Sequence, residues 1–458
     1  MQHIHFIGIC GTAMGSVAAA MHAKGFTVTG SDENVYPPMS TFLEQQGIQI
    51  FPGYKAQNIP ETAEVIVVGN AISRGNEEAE AALERKLLYV SLPEILKDHF
   101  LRGRRNLVVS GTHGKTTTSS ILAWMLKSAG VDPSYMIGGI PRNLGQGATF
   151  TDSDFVVLEG DEYDTAFFDK RSKFLHYLPE VVVINNIEFD HADIYNSLDE
   201  IKLTFKRLLN IVPRNGMAFV NGDCANTMDV ASDGPAPITT VGLGAECDLQ
   251  ITDVDYGREN TSFVLDGEHY VLPMAGEFNV RNAAMAICTA RFSGFSADQI
   301  RHGLASFEGI ARRQEVRGIA GGVRVIDDFA HHPTAIGLAV DSLRQQYPDS
   351  RLWVIFEPRS NTTRRNVFQD DLANALSKAD LVVVPAVPDP EKVAEQDRLD
   401  PHKLVSDIQA SGTSCWYLET VDEIVTLVTS ESREGDTVAV LSNGGFGGIH
   451  QKLLDNLG

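Results

Sequence analysis

The 458-residue chain is poor in cysteine, and the few that it has are not arranged in pairs. The number of cysteines is odd, no CxxC occurs, and they are scattered over the chain: Cys10, Cys224, Cys247, Cys288 and Cys415. This usage argues against a disulfide framework and fits buried free thiols in a reducing compartment.

Positive charge and long hydrophobic runs are also scarce. The 38 Lys and Arg residues face 60 Asp and Glu residues, which gives a formal net charge of -22. A nucleic-acid-binding protein would be expected to carry the opposite balance, because the phosphate backbone attracts cations. No apolar run approaches the roughly 18 residues that a membrane span needs. Residues 3–7 already read as a strand, so we expect no signal peptide, no membrane insertion and a cytoplasmic protein.

Short apolar strands alternate with helices along most of the chain, and this alternation predicts parallel, doubly wound sheets. A length of 458 residues allows about three domains. We predict a Rossmann-like domain at 1–104, a central P-loop-type ATPase domain at 105–312, and a second Rossmann-like domain at 313–458. Asp-Gly turn signals within residues 217–275 indicate a β-rich insertion in the central domain.

The most informative segment joins a predicted strand at 107–109 to a predicted helix at 116–127. Backbone N–H groups at such a turn bind anions, a lysine reaches the outer phosphates, and a threonine hydroxyl can ligate Mg²⁺. The loop is two residues shorter than a Walker A loop, which would require glycine where Val109 stands. An ordinary glycine-bearing turn is the alternative. The candidate phosphate-binding residues are Gly111, Thr112, His113, Gly114, Lys115, Thr116 and Thr117.

Two polar clusters follow apolar strands downstream of this loop. Glu159, Asp161, Glu162 and Asp164 follow residues 155–158, and Asn185, Asn186, Glu188, Asp190 and His191 follow residues 181–184. Ligands of doubly wound sheets lie at the carboxyl ends of strands, and carboxylates there suit a Mg²⁺–nucleotide site. Each cluster alone could instead be a solvated loop.

Two further motifs suit nucleotide binding. Asn279 and Asn282 are spaced i, i+3 at the start of an Ala-rich helix, so both amides can face one adenine. A helix cap with one exposed asparagine is the alternative. Arg313 stands at the predicted junction with the third domain, where it could clamp phosphates.

These motifs occur in the order found in the Mur ligases, the ATP-dependent amide-forming enzymes of peptidoglycan assembly, and the chain resembles that family over essentially all its length. The resemblance implies that Lys115 and the loop amides hold the ATP phosphates, with Thr116 and Glu159 on one Mg²⁺. It implies that His191 helps to place a second Mg²⁺. Asn279 and Asn282 would contact adenine, Arg313 the phosphates and Asp328 the ribose, while His331 and His332 remain unassigned.

The start of the chain resembles the UDP-binding loop of the family. Its glycines follow GxxGxxxG rather than GxGxxG, which disfavours a dinucleotide but leaves a pyrophosphate site open. The candidate UDP-sugar-binding residues are Gly8, Gly11, Thr12, Gly15 and Asp32. Several Mur ligases carry a carbamylated lysine after the His191 motif. Here the matching position is Phe205, flanked off register by Lys202 and Lys206, so we expect no carbamyl-lysine.

Residues 34–40, 167–173, 357–362 and 442–448 resemble the murein peptide ligase branch of the family. This implies that the enzyme joins UDP-N-acetylmuramate to the murein tripeptide L-alanyl-γ-D-glutamyl-meso-diaminopimelate, through an acyl phosphate, as a monomer or weak dimer. Arg359 and Arg364 would bind carboxylates of the peptide; solvent exposure of Arg364 is the alternative. The rival functions are an L-alanine-adding ligase, a dinucleotide-dependent dehydrogenase and a non-catalytic nucleotide-binding regulator.

Overall fold

The computed structural model describes residues 2–232 and 234–458; Met1, with which the predicted N-terminal domain begins, lies outside the described residues, as does Asp233. The predicted fold class is confirmed: three α/β units follow one another along the chain. Among the described residues we find no helix with the length and hydrophobicity to cross a bilayer. The domain boundaries at 104/105 and 312/313 stay predictions.

The first unit is a five-stranded parallel sheet in the order β3-β2-β1-β4-β5. Because β2 and β4 flank β1 on opposite sides, the loop after β1 opens where the strand order reverses. The strands are β1 (His3–Ile7), β2 (Thr27–Asp32), β3 (Gln49–Pro52), β4 (Val65–Val68) and β5 (Leu88–Ser91), and the helices are α1 (Thr12–Ala23), α2 (Met39–Gln45), α3 (Glu77–Glu84) and α4 (Leu92–Leu96).

The central unit is built on a ten-stranded sheet in the order β17-β16-β15-β14-β13-β12-β6-β9-β7-β8. Its strands are β6 (Arg105–Ser110), β7 (Ser134–Met136), β8 (Ala148–Thr149), β9 (Phe155–Gly160), β12 (Val181–Ile184), β13 (Met217–Asn221), β14 (Ile238–Gly242), β15 (Leu249–Tyr256), β16 (Thr261–Leu265) and β17 (Glu268–Leu272). Its helices are α5 (Lys115–Ser128), α6 (Leu198–Leu209), α7 (Ala225–Ala231), α8 (Glu277–Phe292) and α9 (Ala297–Ala305). The antiparallel strands β15 to β17 form the predicted β-rich stretch.

A separate antiparallel hairpin, β10 (Asp164–Ala166) and β11 (Asp169–Ser172), reaches from the central unit towards the first one. Phe168 in its turn packs edge-on against Tyr89 of β5, with the ring centroids 4.9 Å apart. The two units also share one hydrophobic cluster, in which Phe6 of β1 and Val108 of β6 are both buried. The first and central units are therefore joined by a common apolar core.

The third unit is a six-stranded sheet in the order β18-β19-β23-β20-β21-β22, in which only β18 runs antiparallel. Its strands are β18 (Glu315–Ala320), β19 (Val323–Asp328), β20 (Leu352–Phe356), β21 (Leu381–Pro385), β22 (Ser414–Leu418) and β23 (Thr437–Leu441). Its helices are α10 (Pro333–Gln346), α11 (Gln369–Leu376), α12 (Pro401–Ala410), α13 (Val421–Glu431) and α14 (Ile449–Leu457). Two hydrophobic clusters, made within the described residues only from this unit, form its core.

Candidate active site

The predicted phosphate loop leaves β6 and enters α5 at the point where β9 and β12 flank β6 on opposite sides. Gly114 has φ +82° directly before Lys115, the first residue of α5. A Cβ on Gly114 would lie 2.2 Å from Asn282 Oδ1, so glycine is required both by the backbone and by the close contact. The first N–H groups of a helix have no acceptor within the helix, and here the first residues of α5, Lys115 to Thr117, line the cavity.

Lys115 is held at the base of this loop. Its Nζ donates to Gly111 O at 2.7 Å and to Glu162 Oε2 at 2.8 Å. Burial disfavours the charged ammonium, but the carboxylates of Glu162 and Asp161 outweigh burial and raise the pKa of Lys115. The ammonium is therefore charged at neutral pH, as an interaction with phosphate oxygens requires.

A hydroxyl and a carboxylate that suit a divalent cation lie beside Lys115. Thr116 Oγ1 is 3.0 Å from Glu159 Oε1, and Glu159 Oε2 also accepts the Gly138 N–H. Arg313 reaches the same hydroxyl from the junction with the third unit, with Nη2 3.3 Å from Thr116 Oγ1. Hard oxygen ligands next to a phosphate loop are what Mg²⁺ prefers in nucleotide sites.

A second acidic cluster contains His191, whose backbone has φ +53°. His191 Nε2 lies 3.1 Å from Glu162 Oε1, and ligand atoms of Asp161, Glu162 and His191 all lie within 4.8 Å of one another. Burial disfavours the imidazolium, but Glu162 outweighs burial and raises the pKa of His191 to about 9. This cluster could hold a second cation once the His191 proton leaves.

The predicted adenine and ribose residues lie in the same cavity, which has a volume of about 550 Å³. Asn279 and Asn282 are buried on one face of α8, and within the described residues Asn279 Oδ1 and Asn282 Nδ2 have no hydrogen-bond partner. A buried amide atom without a partner suits a ligand atom. Asp328, at the end of β19, is held by the Gln314 and Ala330 N–H groups, and burial raises its pKa.

Of the predicted ATP and metal residues, only Gly111 does not line this cavity. Gly111 has φ +126°, and a Cβ there would lie 3.0 Å from the Asn185 and Asn186 backbone nitrogens. Its role is therefore to let the loop pass close to the end of β12. Asn186 fixes the loop from the other side, because its Oδ1 accepts the His113 N–H at 2.8 Å.

The predicted UDP-sugar residues meet at the carboxyl edge of the first sheet. Gly8 has φ +88°, and Gly11 caps α1, which begins at Thr12. Asp32 ends β2 and accepts the Cys10 N–H at 2.9 Å, so its carboxylate fixes the loop after β1. Gly15 faces inward, because a Cβ there would lie 2.4 Å from Met39 Sδ. Gly15 thus serves the packing of α1 both on α2 and on the loop after β1, since the same Cβ would lie 3.1 Å from Ile9 O.

The two predicted peptide-binding arginines have different surroundings. Arg359 lines a second cavity of about 350 Å³, together with Asn443 and His191. Arg364 does not line it: the side chain is buried, Nε donates to Pro388 O at 2.9 Å and Nη2 lies 3.2 Å from Asp389 Oδ2. The alternative of solvent exposure for Arg364 is therefore wrong. Its contact with the peptide stays a prediction, which its absence from the lining of this cavity does not support.

Several residues of the site had been given no individual role in advance. Glu162 pairs with both Lys115 and His191, and Phe329 packs under the Arg313 guanidinium at 4.8 Å. Glu162 stood inside a recognised acidic run, whereas no local pattern distinguishes Phe329. His331 lines both cavities. At the carbamyl-lysine position, Phe205 packs in the core on Phe174.

Comparison with known proteins matches three profiles in succession: "Mur ligase family, catalytic domain" at residues 3–104, "Mur ligase middle domain" at 109–290, and "Mur ligase, glutamate ligase domain" at 312–444. A relative from Escherichia coli, named UDP-N-acetylmuramate–L-alanyl-γ-D-glutamyl-meso-2,6-diaminoheptandioate ligase, is 42% identical over 100% of this chain and 98% of its own length. The Haemophilus influenzae protein of the same name is 40% identical over 100% and 99%.

A solved structure, a murein peptide ligase from Psychrobacter arcticus, shares 36% identity with a TM-score of 0.72 and covers 100% of this chain and 99% of that one. The likeness thus extends over the full length in both sequence and structure. The site combines the predicted phosphate loop, acidic strand ends and a cavity lined by Arg359. The chain belongs to the Mur ligase family, as predicted.

Proposed function

We propose that the chain is an ATP-dependent ligase that joins UDP-N-acetylmuramate to L-alanyl-γ-D-glutamyl-meso-diaminopimelate in peptidoglycan recycling. One observation carries this proposal beyond the likeness to the named relatives: the phosphate-loop cavity and the Arg359 cavity meet. Asp190 and His191 line both cavities, so two substrates bound in them would approach each other there.

ATP would occupy the larger cavity. Lys115 and the first N–H groups of α5 would hold its phosphates, and Arg313 would add a second positive charge. The unpartnered amide atoms of Asn279 and Asn282 support contacts to adenine, and the Asp328 carboxylate supports a contact to the ribose.

The residues present also fit Mg²⁺. Thr116 Oγ1 and Glu159 Oε1 would hold one ion beside the phosphates, and His191 with the neighbouring carboxylates would hold a second. When bound, the ions would offset the repulsion between the γ-phosphate and the substrate carboxylate.

UDP-N-acetylmuramate would bind at the loop after β1, with Gly8, Gly11 and Thr12 open to the pyrophosphate and Asp32 holding the loop. The first unit would thus be the UDP-sugar domain, and the third unit would bind the incoming peptide. Since three substrates must converge from three domains, closure of the third domain is expected before chemistry.

The reaction makes and breaks bonds in two steps. A carboxylate oxygen of UDP-N-acetylmuramate attacks the γ-phosphorus of ATP, ADP leaves, and an acyl phosphate forms. The neutral amine of the peptide then attacks the acyl carbon, the bond to the phosphate oxygen breaks, and the amine loses a proton. Lys115 and Arg313 are already in place around the developing negative charge, so no reorganisation is needed during the step.

Arg359 supports the choice of a peptide over a free amino acid. Its exposed side chain lies against Gly444, where a Cβ would be 2.5 Å from Arg359 Cδ, so glycine at 444 leaves room for the Arg359 side chain beside the cavity. A guanidinium is suited to binding one of the several carboxylates of the tripeptide.

Phosphate release with ATP and UDP-N-acetylmuramate, measured with either tripeptide or L-alanine, tests the proposal. We expect turnover with tripeptide, with a product mass equal to the two substrates joined less one water, and little turnover with L-alanine. Turnover with L-alanine and none with tripeptide would instead assign the L-alanine-adding activity. The proposed location is the cytoplasm, which the five free cysteines support. A monomer or weak dimer stays a prediction.

A further inference from the structure

Three metal-ligating side chains from two domains converge at one edge of the ATP cavity, apart from the proposed Mg²⁺ ligands. His113 belongs to the phosphate loop, Glu188 follows β12, and His332 precedes α10 of the third unit. One ligand atom of each lies within 4.8 Å of the other two. The reaction proposed above uses none of these three side chains.

Two of the three distances between these atoms are close to those of a tetrahedral site. His113 Nε2 lies 3.4 Å from Glu188 Oε2, and His332 Nδ1 lies 3.7 Å from the same oxygen. Zinc bonds of about 2.0–2.1 Å in a tetrahedron place neighbouring ligand atoms roughly 3.3 Å apart. Movements of a few tenths of an ångström would bring both pairs to that spacing.

The environment of His332 favours the tautomer that a metal needs. Its Nε2 lies 3.1 Å from Phe189 O, which can only accept, so Nε2 carries the proton and Nδ1 presents its lone pair. Nδ1 accepts the Thr334 N–H at a long 3.3 Å, and a metal on Nδ1 would replace this bond. A ligand histidine whose other nitrogen donates to a backbone carbonyl is the usual arrangement in zinc sites.

Glu188 is likewise positioned and ionised. Thr334 Oγ1 donates to Glu188 Oε2 at 2.6 Å, which orients the carboxylate from the third unit. An ordinary glutamate is ionised at neutral pH, so Glu188 offers a charged oxygen ligand.

We propose that His113, Glu188 and His332 form a site for Zn²⁺ or a similar transition-metal ion. Two imidazoles and one carboxylate suit zinc and disfavour Mg²⁺, which prefers oxygen ligands, and the fourth position opens to the ATP cavity. Because the ligands come from the central and third units, the bound ion ties the phosphate loop to the peptide-binding domain. The site goes beyond the proposed reaction, and it can be tested without any substrate.

The test is a zinc titration of the full-length, metal-stripped protein against a chromophoric chelator. We expect one tight Zn²⁺ per chain. Glu188→Gln and His332→Asn should each weaken it by at least about 100-fold, since even outer contacts of zinc sites contribute 10–100-fold. Asparagine at 332 keeps an acceptor for the start of α10. His176→Gln is the matched control, because His176 lies with Glu94 and Asp169 in another candidate cluster.

Several results would overturn the site. These are no zinc bound more tightly than by scattered surface histidines, an unchanged affinity in His332→Asn, or loss of the ion in His176→Gln alone. Thermal unfolding without zinc checks that each variant folds. If the variants do not fold, Co²⁺ bound to the unmodified protein decides: a four-coordinate visible spectrum supports the site, and an octahedral one contradicts it.

Discussion

Substitution of Gly114 by alanine tests whether the phosphate loop depends on its close contact with α8. Gly130, at the other end of α5, provides a matched control. The two glycines have φ of +82° and +90°, so alanine is strained at both, by about 1–2 kcal/mol. Only at Gly114 would the new Cβ meet side chains of the cavity; around Gly130 the described residues leave open space within 4 Å.

The magnitude follows from the distance between the new Cβ and Asn282 Oδ1. This distance would be 2.2 Å, and ordinary contact begins at 3.4 Å, so the amide must move by 3.4 − 2.2, about 1.2 Å. A displacement of about 1 Å in an active site costs on the order of 100-fold in rate. We therefore expect kcat/KM for ATP to fall about 100-fold in Gly114→Ala. Gly130 lies about 24 Å away along the helix, and Gly130→Ala should keep the unmodified value.

Phosphate release at varied ATP, with the other two substrates saturating, measures the effect on the site. Thermal unfolding measures the shared backbone strain, and we expect similar losses in both variants, roughly 2–8 °C. The reasoning is refuted if Gly114→Ala keeps kcat/KM for ATP within threefold of the unmodified enzyme. Equal losses of kcat/KM in the two variants would refute it as well, because strain alone would then explain them.

Three further predictions concern single side chains. Lys115→Met should lower phosphate release by at least about 10²–10³-fold, because the outer phosphates lose their buried cation, while circular dichroism stays unchanged. Arg359→Ala should raise KM for the tripeptide but not for ATP. Arg364→Ala should instead lower the free energy of unfolding by about 1–3 kcal/mol, without a selective rise in KM for the tripeptide. Burial opposes the charge of Asp436, but its bonds to Arg351 outweigh burial and lower its pKa. Asp436→Asn should therefore reduce the free energy of unfolding at neutral pH by about 1.5–3 kcal/mol. The difference between the two proteins should disappear as the pH falls below 3.8 and through the lowered pKa of Asp436. Denaturant unfolding at a series of pH values measures this difference.

Patterns local in sequence predicted the fold and the nucleotide end of the site. Some features can be recognised from a few neighbouring residues, as at Gly114 and Glu159. They are glycines that adopt positive φ, a lysine before a helix and carboxylates after apolar strands. The alternation of strands and helices predicted the three units.

Contacts between distant segments could not be read in the same way. Arg364 stood beside Arg359 in sequence, yet the loop containing Pro388 binds its guanidinium, and no pattern near residue 364 signals that loop. The pairing of Glu162 with both Lys115 and His191 likewise depends on how β9, α5 and the end of β12 meet. His332 and Glu188 meet only because the third unit folds against the central one.

The distribution of hydrophobic clusters makes the third unit separable from the other two. Phe6 and Val108 share one apolar cluster, so the first two units cannot be separated without exposing it to water. The clusters of the third unit, within the described part of the chain, draw on residues 323–457 alone. Its links to the central unit include exposed ion pairs such as Arg258–Asp349, and such pairs contribute about 0–1 kcal/mol. A chimera that takes this unit from another family member should therefore fold, and under the proposed roles of the domains it would use a different amine substrate with the same UDP-sugar.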